Sequence, residues 1–289
     1  MNNRFDRNER FFGAEGQKKL NNSKVVLVGC GGNGTHVAQQ LAHLGIAELY
    51  AVDKELLDET NLNRYIGSRH NDPANFPIKT KIIERTVNAI DSNIIIHPIQ
   101  NTFLSYEAFD AIKKSDYVFG CLDDDTARFI LNELCLAYKK PYIDIATDIF
   151  PGKPTLYGGR VFINWNGNGC LHCMRLLDID EIQSVLSGPE GKAQRDAIYG
   201  VDKVDLDVKG PSVVSINGIV ASYAVTEYFL AVTGIRGPIR HTEYRGSEGK
   251  IVVNTDTPNE NCYYCNTIRG QREKADVERY IRNGIGDYL

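Results

Sequence analysis

The chain has no apolar run approaching the roughly 18 residues of a membrane span, and its opening, MNNRFDRNERFFG, lacks the apolar core of a secretion signal. Both absences predict a soluble, cytoplasmic protein with no membrane partner. Positive charge is not in excess either: 33 Lys and Arg face 37 Asp and Glu, a formal net charge of -4 that leaves no broad basic face for nucleic acid. Internal repeats and low-complexity tracts are missing, which excludes repeat-array and linker-rich architectures. Seven cysteines form an odd count that suits metal or reactive-thiol roles in a reducing compartment better than a disulfide framework. What remains, 289 residues of which 42% are hydrophobic, suffices for one large core or two modest ones, and one α/β domain with small appendages is the economical reading.

The strongest local pattern is KVVLVGCGGNGTHVAQQLAHL, Lys24 to Leu44, a β-branched strand running through a glycine loop into a helix. The start of such a helix presents backbone N–H groups to phosphate, so the pattern predicts a bound nucleotide. Gly29, Gly31 and Gly34 fit the dinucleotide fingerprint, and Asp53, ending the next strand AELYAVD, sits where a ribose-binding acid is expected. The loop by itself does not say which nucleotide.

Strand and helix patterns alternate as in a mostly parallel sheet covered on both faces. Strands are expected at Lys24 to Gly29, Glu48 to Asp53, Ile94 to Ile99, Tyr117 to Leu122 and Tyr142 to Ala146, with helices at Gly34 to Leu44, Lys79 to Asp91, Tyr106 to Lys114 and Thr126 to Tyr138. After Pro151 the stretch GKPTLYGGRVFINW reads as a hairpin, and residues 176–210 as a long crossing loop. Ser212 to Thr233, apolar nearly all round, suits a buried helix; IRHTEYRGSEGKIVVN reads as a hairpin turning at Ser247 to Gly249, and the charged segment from Gln271 as a surface helix.

Two C-x-x-C pairs, Cys170 with Cys173 and Cys262 with Cys265, carry a second chemistry, because two such knuckles close one tetrahedral thiolate site around Zn²⁺. About 90 residues separate them, so the metal would staple distant parts of one domain rather than fold a small module. With all four positions taken by thiolates no open coordination site is left for catalysis, and His172 reads as a neighbour of the metal rather than a ligand.

Taken in order, these motifs resemble the ThiF, MoeB and HesA family, bacterial relatives of ubiquitin-activating E1 enzymes. The likeness spans about residues 4 to 266: RFDRN at Arg4 to Asn8 with Gly16-Gln17, the GCGGNG loop, Asp53, Asn61-Leu62-Asn63-Arg64, Lys79, the Asp123 to Arg128 segment and both cysteine pairs. The fold this implies is a Rossmann-like doubly wound, mostly parallel sheet with added β-hairpins and a four-cysteine zinc site. Its parts would be an N-terminal extension (1–22) serving dimer and active site, an adenylation domain (23–266), and a charged C-terminal helix or tail (267–289).

The activity implied is ATP-dependent adenylation of the C-terminal glycine carboxylate of a ubiquitin-like or sulfur-carrier protein, with release of pyrophosphate. A carboxylate must then meet an α-phosphate ringed by negative oxygens, which calls for cations placed in advance. By resemblance Arg64 and Lys79 bind phosphate, Asp123 holds Mg²⁺, and Arg7 reaches into the other protomer's site, which implies a homodimer. Asp53 would accept the ribose hydroxyls, Asn61 would add a polar contact, and Gly29, Gly31, Gly32 and Gly34 would let the nucleotide lie close to the chain. An E2-like or sulfur-transfer protein is the further partner such chemistry implies.

Competing readings attach to several of these residues. Arg64 and Lys79 as plain residue types are solvated surface cations, and Lys81 is the alternative to Lys79. In the run Asp123-Asp124-Asp125, Asp125 is assigned the cap of the following helix, and Arg128 either pairs with the acidic run or contacts nucleotide. The sequence departs from thioester-forming relatives in having no cysteine, serine or threonine from Gly188 to Pro211, so a MoeB-like enzyme without an internal thioester is expected. Cys30 and Cys121 are candidate nucleophiles near the nucleotide, and Ser187 or Ser212 offer an oxyester. Tyr65 stands where relatives place glutamine. Three further functions stay open: adenylation of a ribosomal peptide C-terminus, a non-catalytic E1-like scaffold, and a nicotinamide-dependent oxidoreductase.

Overall fold

A computed structural model describes residues 4–167, 169–188 and 210–287. One eight-stranded sheet runs through it in the order β3-β2-β1-β4-β5-β6-β7-β8. The strands are β1 (Lys24–Val28), β2 (Glu48–Val52), β3 (Ile95–Ile99), β4 (Tyr117–Gly120), β5 (Tyr142–Phe150), β6 (Leu156–Asn164), β7 (His241–Arg245) and β8 (Lys250–Val253). From β3 to β5 all neighbours are parallel, and from β5 to β8 all are antiparallel. The parallel strands are short and apolar, as β1 with its KVVLV shows, because helices cover both faces.

The helices are α1 (Asp6–Leu20), α2 (Gly32–Leu44), α3 (Asp72–Asn75), α4 (Lys79–Ile90), α5 (Tyr106–Lys114), α6 (Asp125–Ala137), α7 (Ile179–Leu186), α8 (Val214–Thr233) and α9 (Arg279–Arg282). Val37 and Leu41 of α2, Ile83 of α4 and Tyr228 of α8 pack with Leu27 and Leu49 on one face. Phe109 and Ile112 of α5 and Leu131 and Leu134 of α6 pack with Val26 and Val28 on the other. The fold is therefore doubly wound, and the point where the order reverses lies between β1 and β4, where such sheets open a crevice at their carboxyl ends.

Several expectations need adjusting. The hairpin after Pro151 is made by a lengthened β5 and β6, so Gly152 to Thr155 form its turn rather than one of its arms. The crossing segment contains α7, while residues 189–209 lie outside the described residues. The segment from Gln271 is not one surface helix: it is a series of short turns that bury Ala275, Val277, Tyr280 and Ile285 in the core. A run of charged side chains hides its apolar positions, whose spacing follows no helical period. No helix among the described residues is long and apolar enough to cross a membrane.

Candidate nucleotide cleft and metal centre

A cleft of about 280 Å³ opens at the carboxyl ends of β1, β2 and β4. Its floor is the glycine loop: Gly29 adopts φ +90, and a Cβ there would lie 2.4 Å from the Cys121 carbonyl oxygen, so only glycine fits. Gly31 is the N-cap of α2 and has no side-chain cap bond, leaving the first N–H groups of that helix for a ligand. Gly29, Gly31 and Gly32 line the cleft. Gly34 does not; a Cβ there would meet the Gly29 carbonyl oxygen at 2.1 Å, so its role is close helix-to-strand packing.

Asp53 follows β2 and accepts the backbone N–H of Cys30 and that of Glu55, each at 2.7 Å. Burial pushes its carboxyl above the ordinary range, against the opposing pull of Lys79 and of the two amides. Lys79 opens α4 with its side chain only 5% exposed and its Nζ 2.5 Å from Glu55 Oε2. Lys81 instead lies at the surface, paired with Glu84. Tyr65 is buried against Leu57 and Ile82 and donates its hydroxyl to the Lys79 carbonyl at 2.9 Å, so it props the start of α4.

Asp123 is exposed at the mouth of the cleft, just past β4. The cap of α6 is Asp124, which accepts the Ala127 N–H at 2.7 Å, and not Asp125. Asp125 pairs with Arg128 at 3.1 Å and accepts the Asp178 N–H. Arg128 is buried at the cleft wall, donating to the Leu122 carbonyl and lying 3.6 Å from the fully buried Asp144. This arginine closes the acidic run and also faces the cleft.

Besides Gly34, three predicted residues are not on the cleft wall. Asn61 is buried in a capping box with Asp58 at the turn before Leu62 and does not line the cleft. Arg64 donates to the Thr60 carbonyl and to Asn63, with its Cδ 3.6 Å from where a Gly32 Cβ would stand, so it borders the loop without entering the cleft. Arg7 is exposed on α1 and does not line the cleft.

Sequence reasoning missed the opposite wall. Asn33 Nδ2 donates to Thr147 Oγ1 at 3.1 Å, Thr147 donates to Asn217 Oδ1 at 3.0 Å, and Asn217 Nδ2 donates to Ser212 Oγ at 3.0 Å. Asn33, Thr147 and Asn217 line the cleft together with Lys54, Asp148 and the Asn101–Phe103 loop. These residues come from parts of the chain as much as 184 positions apart, and although Asn33 belongs to the GCGGNG loop, no local motif marks Thr147 or Asn217. Cys30 is fully buried, and burial raises its thiol and that of Cys121 well above their usual range, so neither is poised as a thiolate. Ser187 donates to the Gln183 carbonyl in the last turn of α7.

The four paired cysteines meet away from the cleft. Their sulfurs all lie within 4.8 Å of one another, with Cys170 to Cys262 at 3.8 Å and Cys173 to Cys265 at 3.9 Å. Zn–S bonds of about 2.3 Å in a tetrahedron put sulfurs about 3.8 Å apart, so the donor set fits that ion. His172 packs edge-on against Phe129 and Tyr264 rather than joining the cluster.

Comparison with known proteins accords with this geometry. The chain is 31% identical over 162 residues to "Adenylyltransferase and sulfurtransferase MOCS3" of Dictyostelium discoideum, covering 56% of this chain and 36% of that protein. It is 27% identical over 162 residues to the Xenopus laevis protein of that name, covering 56% and 34%. The aligned part is thus about a third of the length of these relatives. The solved structure of E. coli MccB with ATP superimposes with a TM-score of 0.70 at 23% identity over 92% of this chain and 75% of that one. PaaA does so with 0.63 at 20% over 86% and 80%. These likenesses are of fold. The family described as "ThiF family" matches residues 5–262, and the chain belongs to it.

Proposed function

We propose that this protein is an ATP-dependent adenylyltransferase, which activates the C-terminal glycine carboxylate of a ubiquitin-like or sulfur-carrier protein as an acyl-adenylate. The observation that carries the reading is the placement of Lys79, a buried cation facing the same cleft as the uncapped start of α2 and the ribose-side acid Asp53. A carboxylate oxygen attacks the α-phosphorus, the bond to the bridging oxygen breaks, and pyrophosphate leaves. Repulsion between the two anions is the barrier, and fixed cations at the developing charge lower it. The amides of the loop hold phosphate oxygens, Lys79 neutralises them, and Asp53 accepts the ribose hydroxyls. Arg64 approaches from the rim of the loop, and Arg7 from the partner of a homodimer. Asn61 serves the site by fixing the turn that carries Arg64. Mg²⁺, held by Asp123, would neutralise the triphosphate.

The zinc site would be structural, held by Cys170, Cys173, Cys262 and Cys265, which leaves Cys30, Cys121 and Cys135 as the other thiols. All three are raised by burial, which supports transfer of the acyl group to an acceptor outside the chain, such as a sulfur-transfer or E2-like protein. A peptide C-terminus is the second substrate reading, favoured by the extent of the fold match to E. coli MccB, one of whose structures contains N-formylated MccA at a TM-score of 0.71. The test is exchange of labelled pyrophosphate into ATP in the presence of Mg²⁺ and a carrier with an exposed terminal glycine. Exchange that depends on the carrier and is lost in Asp123→Ala supports the proposal. Tight nucleotide binding without exchange, whichever carrier or peptide is supplied, points to a scaffold.

A further inference from the structure

The family match ends at residue 262, yet the segment that follows packs behind the wall of the cleft. The backbone of Gly286 lies so close to the loop after β3 that a Cβ there would sit 3.3 Å from Leu104 Cβ and 3.4 Å from Thr102 Cγ2. Thr102 and Phe103 of that loop line the cleft, and Ile285 shares an apolar cluster with Phe103 and Leu104. A few residues earlier, Arg279 donates to both carboxylate oxygens of Glu133 at 2.8 and 2.9 Å, and the Tyr280 hydroxyl to one of them at 2.8 Å. Glu133 is a buried residue of α6, whose first turns carry Asp124, Ala127 and Arg128 into the cleft. Glu278 pairs with Lys113 of α5 at 2.6 Å. One short segment therefore holds the post-β3 loop, α5 and α6 against one another.

The wall these elements form carries Phe103 and Ala127 among the polar Asn101, Thr102, Asp124 and Arg128, and Val52 and Leu122 extend its apolar part. The loop amides and Lys79 come from other elements, the start of α2 and the start of α4. A flat heteroaromatic base suits the first surface, and phosphates the second. We infer that residues 271–287 are a positioning strap that sets the width of the base side of the nucleotide cleft, so that base recognition depends on a segment outside the matched family region. This rests on the adenylation reading only for the identity of the nucleotide. Gly286 touches no ligand; it acts through Thr102 and Phe103.

The test uses the full chain and calorimetric binding of ATP, AMP and pyrophosphate. Gly286→Val presses a branched side chain on Thr102 and Leu104, and on this inference the loop is displaced toward the cleft and narrows it. Affinity for ATP and AMP is expected to fall about tenfold while that for pyrophosphate stays within about twofold. A lighter variant, Gly286→Ala, should show the same pattern at about threefold, and it serves if the valine variant does not fold. Unchanged ATP affinity, or equal loss for all three ligands alongside a fall in Tm, overturns the strap. Wild-type protein that binds ATP but supports no exchange with any carrier overturns the adenylation reading and leaves the strap intact.

Discussion

Lys79 Nζ lies 2.5 Å from Glu55 Oε2, with the lysine buried and the glutamate 41% exposed. A buried ammonium is costly without a partner, and Glu55 holds the cation on the cleft wall; under the proposed function a triphosphate takes its place. Lys79→Met keeps most of the stem volume and removes only the charge. Its kcat for pyrophosphate exchange should fall by about 10²–10³-fold, the usual loss of a donor aimed at developing charge. Glu55→Gln should stay within about fivefold of wild type, because the glutamate is a placeholder. Steady-state exchange kinetics measure both, and a glutamine variant as inactive as the methionine one contradicts the assignment.

Asp53 gives a pH dependence whose sign differs between stability and binding. Its folded-state pKa is raised by burial, so its contribution to stability is full below the unfolded value near 3.8 and is lost as pH rises through the folded value. Under the proposed function ribose binding runs the other way, because the hydroxyls would donate to the ionised carboxylate. The KM for ATP should therefore rise on acidification through the raised value. Asp53→Asn should abolish this step and raise the KM at neutral pH by about tenfold. A pH profile of KM that is identical in the two proteins refutes the ribose role.

The cysteine cluster makes a prediction free of catalysis. Purified protein should contain zinc at about one ion per chain, and Cys265→Ser should lower both zinc content and Tm, since binding energy of a structural site is folding energy. Leu136 and the cluster share a packed group, and the Gly270 N–H donates to the Leu136 carbonyl, so the loss should loosen the end of α6. Elemental analysis decides the first point and thermal melting the second.

Much of the fold is legible in the sequence, and the failures are instructive. Tyr106–Lys114 can be read to the residue because Ser105 caps it and its apolar positions keep a helical period. The helix after the glycine loop starts two residues earlier than its pattern suggests, since glycine propensity argues against Gly32 being helical while the phosphate-loop geometry requires it. The cap at Asp124 falls one residue before the expected one because three successive aspartates offer the same chemistry, and only the end of β4 chooses among them. Thr147 and Asn217 carry no local signal at all: the fold brings them to Asn33 of the glycine loop, and a hydrogen bond between distant residues leaves no spacing to read. Tyr65, which stands where relatives place glutamine, is buried against Leu57 and Ile82, and periodicity around a short turn does not show this.

The most direct test is a crystal structure of the protein with a non-hydrolysable ATP analogue and Mg²⁺. The triphosphate should lie against the N–H groups that open α2, with Lys79 Nζ turned from Glu55 to a phosphate oxygen and the ribose hydroxyls on Asp53. A triphosphate bound elsewhere, with the Lys79 to Glu55 pair intact, would contradict the account.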